Sequence, residues 1–170
     1  MDIFHYLESA DTYAQETLSQ VKEKFGIELY NVFVDHRCMR VDSVLLYQNI
    51  KNQLHATWGN HLSEKIVAGR NISIFDCPWL QSDVLKYDTL IELPAPKETH
   101  HYLNGRQHIE VVVPDVDTLL KQYPHLTWDL SWYKKTYNRD ISLFIDNNHE
   151  IKFHEQSLRQ VLIAEEKVSH

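Results

Sequence analysis

Apolar residues recur at steps of three and four from Ile3 through Leu7, Ala10, Ala14, Leu18, Val21 and Phe25, which predicts one amphipathic helix behind Asp2 and stopped by Gly26. The β-branched and aromatic run Val32–Val41 then reads as a strand. Asp42-Ser43 caps a second helix with Val44, Leu45, Tyr47, Ile50, Leu54 and Trp58 at helical spacing, ended by Gly59-Asn60. Leu62–Val67 and Ile72–Phe75 flank a turn at Ala68-Gly69-Arg70, a hairpin pattern, and Asp88–Leu93 reads as a fourth strand closed by Pro94-Ala95-Pro96. After the polar connection Lys97–Arg106 the order repeats. Gln107–Val113 is a strand, Pro114-Asp115 opens a helix through Val116, Leu119, Leu120 and Tyr123, and Leu126–Tyr133, Arg139–Ile145 and Glu150–His154 read as three more strands. Ser157 caps a closing helix with Leu158, Val161, Leu162 and Ala164 on one side.

This repetition of a supersecondary unit, at a period of roughly seventy residues, predicts an α+β fold. Two βαβββ modules, residues 32–95 and 107–155, would share one cupped, mixed, eight-stranded sheet. An added N-terminal helix (1–27) and a C-terminal helix (157–168) complete a single domain of 170 residues. A chain of that size buries roughly 70% of the surface its unfolded form exposes and needs no staple.

Side chains alternate across a strand, so parity sorts each strand into two faces. Ile109, Val111 and Val113 form a packing face, with His108 and Glu110 opposite; Ile151 and Phe153 pack, with Lys152 and His154 opposite. Ile91 and Leu93 pack, with Glu92 opposite. The first strand is less clean: His36, Cys38 and Arg40 share one face, while Asp35 and Arg37 share the other with Phe33, Met39 and Val41. A curved sheet would gather His36, Glu92, His108, Glu110, Lys152 and His154 on its concave side. Two imidazoles with one or two carboxylates form a common ligand set for zinc, iron, manganese or nickel.

Each of these residues also has a plain structural reading. A histidine on a half-buried strand is more often a hydrogen-bonded residue than a ligand, and Glu110 with Lys152 could be a simple ion pair. Joint placement on mirrored strands is what favours a site. Trp58, Trp79, Trp128 and Trp132 read as core or rim packing.

Composition narrows the field. The net charge of −7 and the absence of a basic cluster longer than Lys134-Lys135 argue against nucleic acid and anionic membranes as partners. No run is long and apolar enough for a membrane span, and the first residues lack a signal-peptide pattern, so cytoplasmic residence is expected. Cys38 and Cys77 form no CxxC pair and are expected to be reduced. There is no glycine-rich phosphate loop, no GxSxG elbow and no HExxH.

Asp35-His36-Arg37-Cys38-Met39-Arg40, Ala68-Gly69-Arg70 with Ile72-Ser73-Ile74-Phe75, Ile91-Glu92-Leu93-Pro94-Ala95-Pro96, His108-Ile109-Glu110 and Ile151-Lys152-Phe153-His154 occur in register. Together they resemble the YecM family, small bacterial proteins of unassigned activity, over nearly the whole chain. That family is similar in fold to the vicinal oxygen chelate superfamily, which includes glyoxalase I, extradiol dioxygenases and bleomycin-resistance proteins. The resemblance implies a glyoxalase-like cup with a divalent metal held by residues of the first and last strand of each module. By position these are His36, Glu92 and His108, with Lys152 where the last ligand, normally Glu, would stand. Lysine is an ammonium at neutral pH and a poor ligand. Three arrangements stay open: three residues and water, completion by Glu110 or His154, or no metal.

The leading expectation is a metal-dependent isomerase, lyase or dioxygenase acting on a small oxygen-chelating molecule, as monomer or homodimer. Glu110 would be general base, Lys152 would act with it, and Arg40, Arg70 and His154 would contact substrate. The competing expectation is a protein that cups a small molecule without chemistry. A third, drawn from the helices at both ends, is a partner-binding domain.

Overall fold

The computed structural model describes residues 3–57, 59–82, 85–97, 104–105, 108–147 and 149–168. Asp2, Trp58, Gln107 and most of the 97–106 connection, all named above, lie outside those residues. The leading helix is two helices, α1 (Ile3–Glu8) and α2 (Ala10–Phe25), separated at Ser9. The break has a packing reason. Ile3, Tyr6 and Leu7 enter one apolar core, whereas Ala14 and Val21 enter the other. A straight helix would reach only one. Gly26 closes α2 in the left-handed conformation (φ 69°), donating its N–H to Lys22 O at 2.9 Å.

The first predicted strand is also in two pieces, β1 (Phe33–Val34) and β2 (Arg37–Cys38). There follow α3 (Val44–Ala56), β3 (Asn60–Val67), β4 (Arg70–Asp76), β5 (Lys86–Tyr87) and β6 (Leu90–Pro94). The second half contains β7 (His108–Val112), α4 (Val116–Gln122), β8 (Asp140–Phe144), β9 (Glu150–His154) and α5 (Leu158–Val168). Caps stand where the sequence placed them. Ser43 Oγ accepts from Leu46 N at 3.3 Å, and Asp115 accepts from Asp117 N and Thr118 N. Ser157 and Gln160 form a reciprocal capping box, at 3.2 and 2.8 Å.

Among the described residues the strands form two sheets, β5-β1-β7-β9-β8 and β2-β6-β4-β3, in place of one sheet of eight. The second sheet runs first, last, third, second strand of its unit, with β2 and β6 parallel and the other pairs antiparallel. The β7-β9-β8 part of the first sheet repeats that order and those senses. The two sheets adjoin at Asp35-His36, where the chain leaves β7 to pair with β6: Asp35 N donates to Glu110 O and Met39 N to Glu92 O.

The predicted strand Leu126–Tyr133 is a run of turns with a single bridge, Asp129 to Ser142. Asp129 Oδ1 takes Ser131 N at 2.9 Å, a local bond that competes with a ladder. Trp128 turns inward, edge-on to Phe153 at 5.8 Å, with its indole N–H on Tyr123 O.

Each sheet packs its apolar face on helices. Ile91, Leu93 and Phe75 meet Tyr47, Ile50 and Leu54 of α3; Ile109, Val111, Ile151 and Phe153 meet Val116 and Leu119 of α4 together with α2. Each such fully buried side chain stabilises the fold by roughly 1.5–3 kcal/mol. The opposite faces carry the ionisable groups.

Candidate metal centre

Strand register assembles this centre. Parallel pairing of β7 with β9 sets His108 beside Glu150, Glu110 beside Lys152, and Val112 beside His154. Parallel pairing of β2 with β6 sets Cys38 beside Glu92. His36 occupies the seam between them, so side chains from β6, β7 and β9 meet around its ring.

Glu110 is the common neighbour. Its Oε1 lies 3.1 Å from His108 Nε2, 3.6 Å from Lys152 Nζ and 4.0 Å from His36 Nε2, and its Oε2 lies 3.8 Å from His154 Nε2. Glu92 Oε2 stands 3.8 Å from His36 Nε2. Glu150 approaches His108 Nδ1 at 3.8 Å and Lys152 Nζ at 3.7 Å.

Two contacts determine which ring nitrogens face this space with a lone pair. Asp35 Oδ2 accepts a hydrogen bond from His36 Nδ1 at 3.1 Å, which leaves Nε2 unprotonated in the neutral ring and free to coordinate. For His154 the arrangement is reversed. Asn138 Oδ1 accepts Gln156 N, so its amide nitrogen is the group 3.3 Å from His154 Nδ1. That donor leaves the proton of a neutral His154 on Nε2, which faces Asp35 Oδ2 at 3.4 Å. His154 is thus set to brace the carboxylates, and His36 to coordinate.

Burial pulls the His36 imidazole down, but Glu110, Asp35 and Glu92 outweigh it and raise His36 to about 10. Burial, aided by the ammonium of Lys152, holds His108 below its usual value. Glu110 resists burial because Lys152, His36 and His108 surround it, and it lies well below the carboxylate range. Burial likewise works against the charge on Lys152, yet Glu110, Glu150 and Glu92 raise it. Burial and Glu92 push the Cys38 thiol up, so it stays protonated.

Among the described residues, His36 Nε2, both nitrogens of His108 and His154 Nε2 are buried and make no hydrogen bond. The 3.1 Å approach of His108 to Glu110 is close, but its angle does not make one. Buried polar atoms are ordinarily satisfied. Unsatisfied nitrogens of His36 and His108 facing carboxylates are what a cation site requires, so the donor set fits a divalent metal. Asp35, His36 and Glu110 form one such group, with one ligand atom of each within 4.8 Å of the others.

The six residues expected on the concave side, His36, Glu92, His108, Glu110, Lys152 and His154, therefore do converge, with Glu110 in the middle. Arg40 is buried near enough to act electrostatically on His108 and Cys38, its backbone bridged to Gly105. Arg70 begins β4 on the face that Ile74 shares with Glu92, four residues from Ile74, or about 13 Å along the strand. Asp35 and Glu150 were not among the expected site residues. The parity that picked Lys152 and His154 also selects Glu150. Asp35 needed the strand break to be known.

Among the described residues no helix is long and apolar enough to cross a membrane. The chain is 30% identical over 102 residues to an uncharacterized protein of Haemophilus influenzae, covering 59% of this chain and 52% of that one, so it spans about half the length of the curated relative it matches. The structure described as Protein EC4020 superposes with a TM-score of 0.70 at 21% identity, over 88% of this chain and 86% of that chain. Methylmalonyl-CoA epimerase from Mycobacterium tuberculosis superposes with a TM-score of 0.52 at 15% identity, over 79% and 95%. At those identities the likeness is one of fold alone. The model of the YecM protein family matches residues 5–143, well over half of the chain, and the chain belongs to that family.

Proposed function

We propose that this protein holds a divalent metal ion with His36, Glu92 and His108, assisted by Glu110, and binds a small oxygen-bearing molecule beside it. The observation that carries the reading is that buried nitrogens of His36 and His108 face the ionised Glu110 carboxylate without a hydrogen bond. A bound ion would supply Lewis-acid polarisation of the ligand's oxygens.

The chain's own groups divide the remaining work. Glu110 is too acidic to be an efficient base near neutral pH while Lys152 and two imidazoles surround it, which suits it to hold a cation. A role as general base requires that Lys152 first turn to another partner. Lys152 and Arg40 are cations placed to neutralise a carboxylate or a developing oxyanion. Arg70, at the far end of β4, would meet only a longer ligand, and His154 braces Glu110 and Asp35. Isomerase, lyase and dioxygenase chemistry are each compatible with these roles.

A second reading, a cup that binds its ligand without metal, is favoured by one observation. Lys152 stands in place of a fourth ligand and already pairs with Glu110 and Glu150. Elemental analysis of tag-free protein, grown with varied zinc, iron, manganese and nickel, separates the two. About one equivalent of metal, lost in His36→Ala and His108→Ala without unfolding, supports the first. Protein free of metal under every supply leaves only the second.

A further inference from the structure

The Asp35 carboxylate has no exposed surface and joins two parts of the molecule. Toward the centre its Oδ2 accepts from His36 Nδ1. Away from the centre both of its oxygens accept the N–H of Leu158, at 3.0 and 2.8 Å, and Leu158 is the first residue of α5. A carboxylate there satisfies a donor that a helix start leaves open and faces the positive end of the helix dipole.

The rest of α5 is lightly held. None of its described residues is fully buried. A cleft of about 370 Å³ separates it from Leu62, Ser63 and Lys65 on one side, and one of about 490 Å³ separates it from Phe33, Val112 and Val113 on the other. Ile163 lines both clefts. The anchors that remain are polar. Arg159 spans Asp88 and Asp76, with its closest contact 2.6 Å, and Lys65 meets Glu165 at 2.6 Å near the other end. A helix with little apolar burial opens at low cost.

We propose that α5 is a latch whose seating is coupled through Asp35 to occupancy of the metal centre, an inference that rests on the metal-binding reading above. Coordination at Nε2 would fix the His36 ring in place, so that its Nδ1–H holds Asp35 in the orientation that receives Leu158. Opening α5 removes the Leu158 donor from that buried carboxylate and loosens the His36 ring in turn. Coupling of this kind is reciprocal: the factor by which the cation favours a seated helix is the factor by which a seated helix tightens cation binding.

Hydrogen–deuterium exchange of the full chain, with and without Zn²⁺, tests this alongside calorimetric titration of the same samples. Zinc should slow exchange at the first turns of α5 by at least about fivefold in the wild-type protein, the lower end of measured coupling factors, and not in Asp35→Asn. Arg159→Gln loosens α5 without touching Asp35 or the ligands, and should weaken zinc affinity by up to that factor, reaching it where the metal-free helix is fully open. Zinc binding that leaves α5 exchange unchanged overturns the latch and leaves the metal site standing. So does an Arg159→Gln variant whose helix opens while its affinity holds. Absence of zinc binding removes the metal reading and the latch with it. Should Asp35→Asn fail to fold, the Arg159→Gln comparison decides alone.

Discussion

Lys152 and Glu110 are cross-strand neighbours on parallel strands, with the ammonium 3.6 Å from the carboxylate. The lysine thus supplies positive charge to the same acid that three imidazoles approach. Replacing it with Met keeps bulk and removes that charge. In metal-free protein the loss should cost ~1–3 kcal/mol, between the ~0–1 of an exposed pair and the ~3–5 of a fully buried one, because the side chain is 24% exposed. With metal bound the cost should shrink, since the ion compensates Glu110 directly. Lys152→Glu restores the commoner ligand type and should tighten metal binding. Urea unfolding with and without metal measures both, and a cost in Lys152→Met that metal does not reduce would contradict the shared site.

Stability of the metal-free protein should peak near pH 6.5. The raised His36 contributes stability that is complete below about 6.5 and is lost as pH rises toward about 10. The lowered His108 acts the other way: its contribution is complete above about 6.5 and falls as pH drops, because the unfolded ring takes up a proton that the folded ring resists. Glu110 adds a further loss below its ordinary range of about 4.5. Urea midpoints between pH 5 and 9 check this, and a midpoint that climbs steadily from pH 6.5 to 9 would refute the assignment of His36.

The same shift gives metal binding a proton signature. At pH 8 the metal-free His36 carries a proton that a ligating ring must release. Calorimetry in two buffers of different ionisation enthalpy should show about one proton released per ion at pH 8. The release should disappear in a His36→Ala variant that retains residual binding.

Asn138 is expected to control the tautomer of His154. Its φ of 47° suits glycine, so Asn138→Gly removes the amide with little backbone strain. Loss of the bonds to Gln156 N and His154 Nδ1 should cost about 1–2 kcal/mol. Nitrogen NMR of the ring should show the Nε2–H form in the wild type and a mixture in the variant. A wild-type ring protonated on Nδ1 would sink the assignment of His154 as a brace.

Much of this was legible in the chain. His108, Glu110, Lys152 and His154 were placed by strict alternation on β7 and β9, which are regular strands. Alternation sends Asp35 to the face opposite His36, but it holds only within a continuous strand, and the ladder breaks between Asp35 and His36. That break lets adjacent residues contact each other inside one site. The bend at Ser9 leaves no mark on the pattern for a related reason: the helical spacing is unbroken through it, and only the presence of two separate cores asks the helix to bend. Leu126–Tyr133 has strand composition, but the Asp129 side chain captures a backbone donor and Trp128 is drawn to Phe153, forces that a propensity pattern does not register.

The two repeated units should not fold apart. β1 belongs to the first half of the chain yet pairs with β7 of the second, Phe33 opposite Val112 and Val34 opposite Val111. Ala14 and Val21 of α2 bury against the core formed by Ile109, Val111, Ile151 and Phe153. Cutting between Asn104 and Gly105 therefore strips the later fragment of a strand and a covering helix, and leaves β7 as an open edge beside exposed apolar surface. It also leaves His36 and Glu92 on one fragment and His108 on the other. Each fragment alone should aggregate or lack a cooperative thermal transition, and co-refolding the pair should restore both the transition and metal binding. A fragment of residues 105–170 that is soluble, monomeric and cooperatively folded would show that the second sheet stands without β1, and that the seam at Asp35-His36 is not what joins the halves.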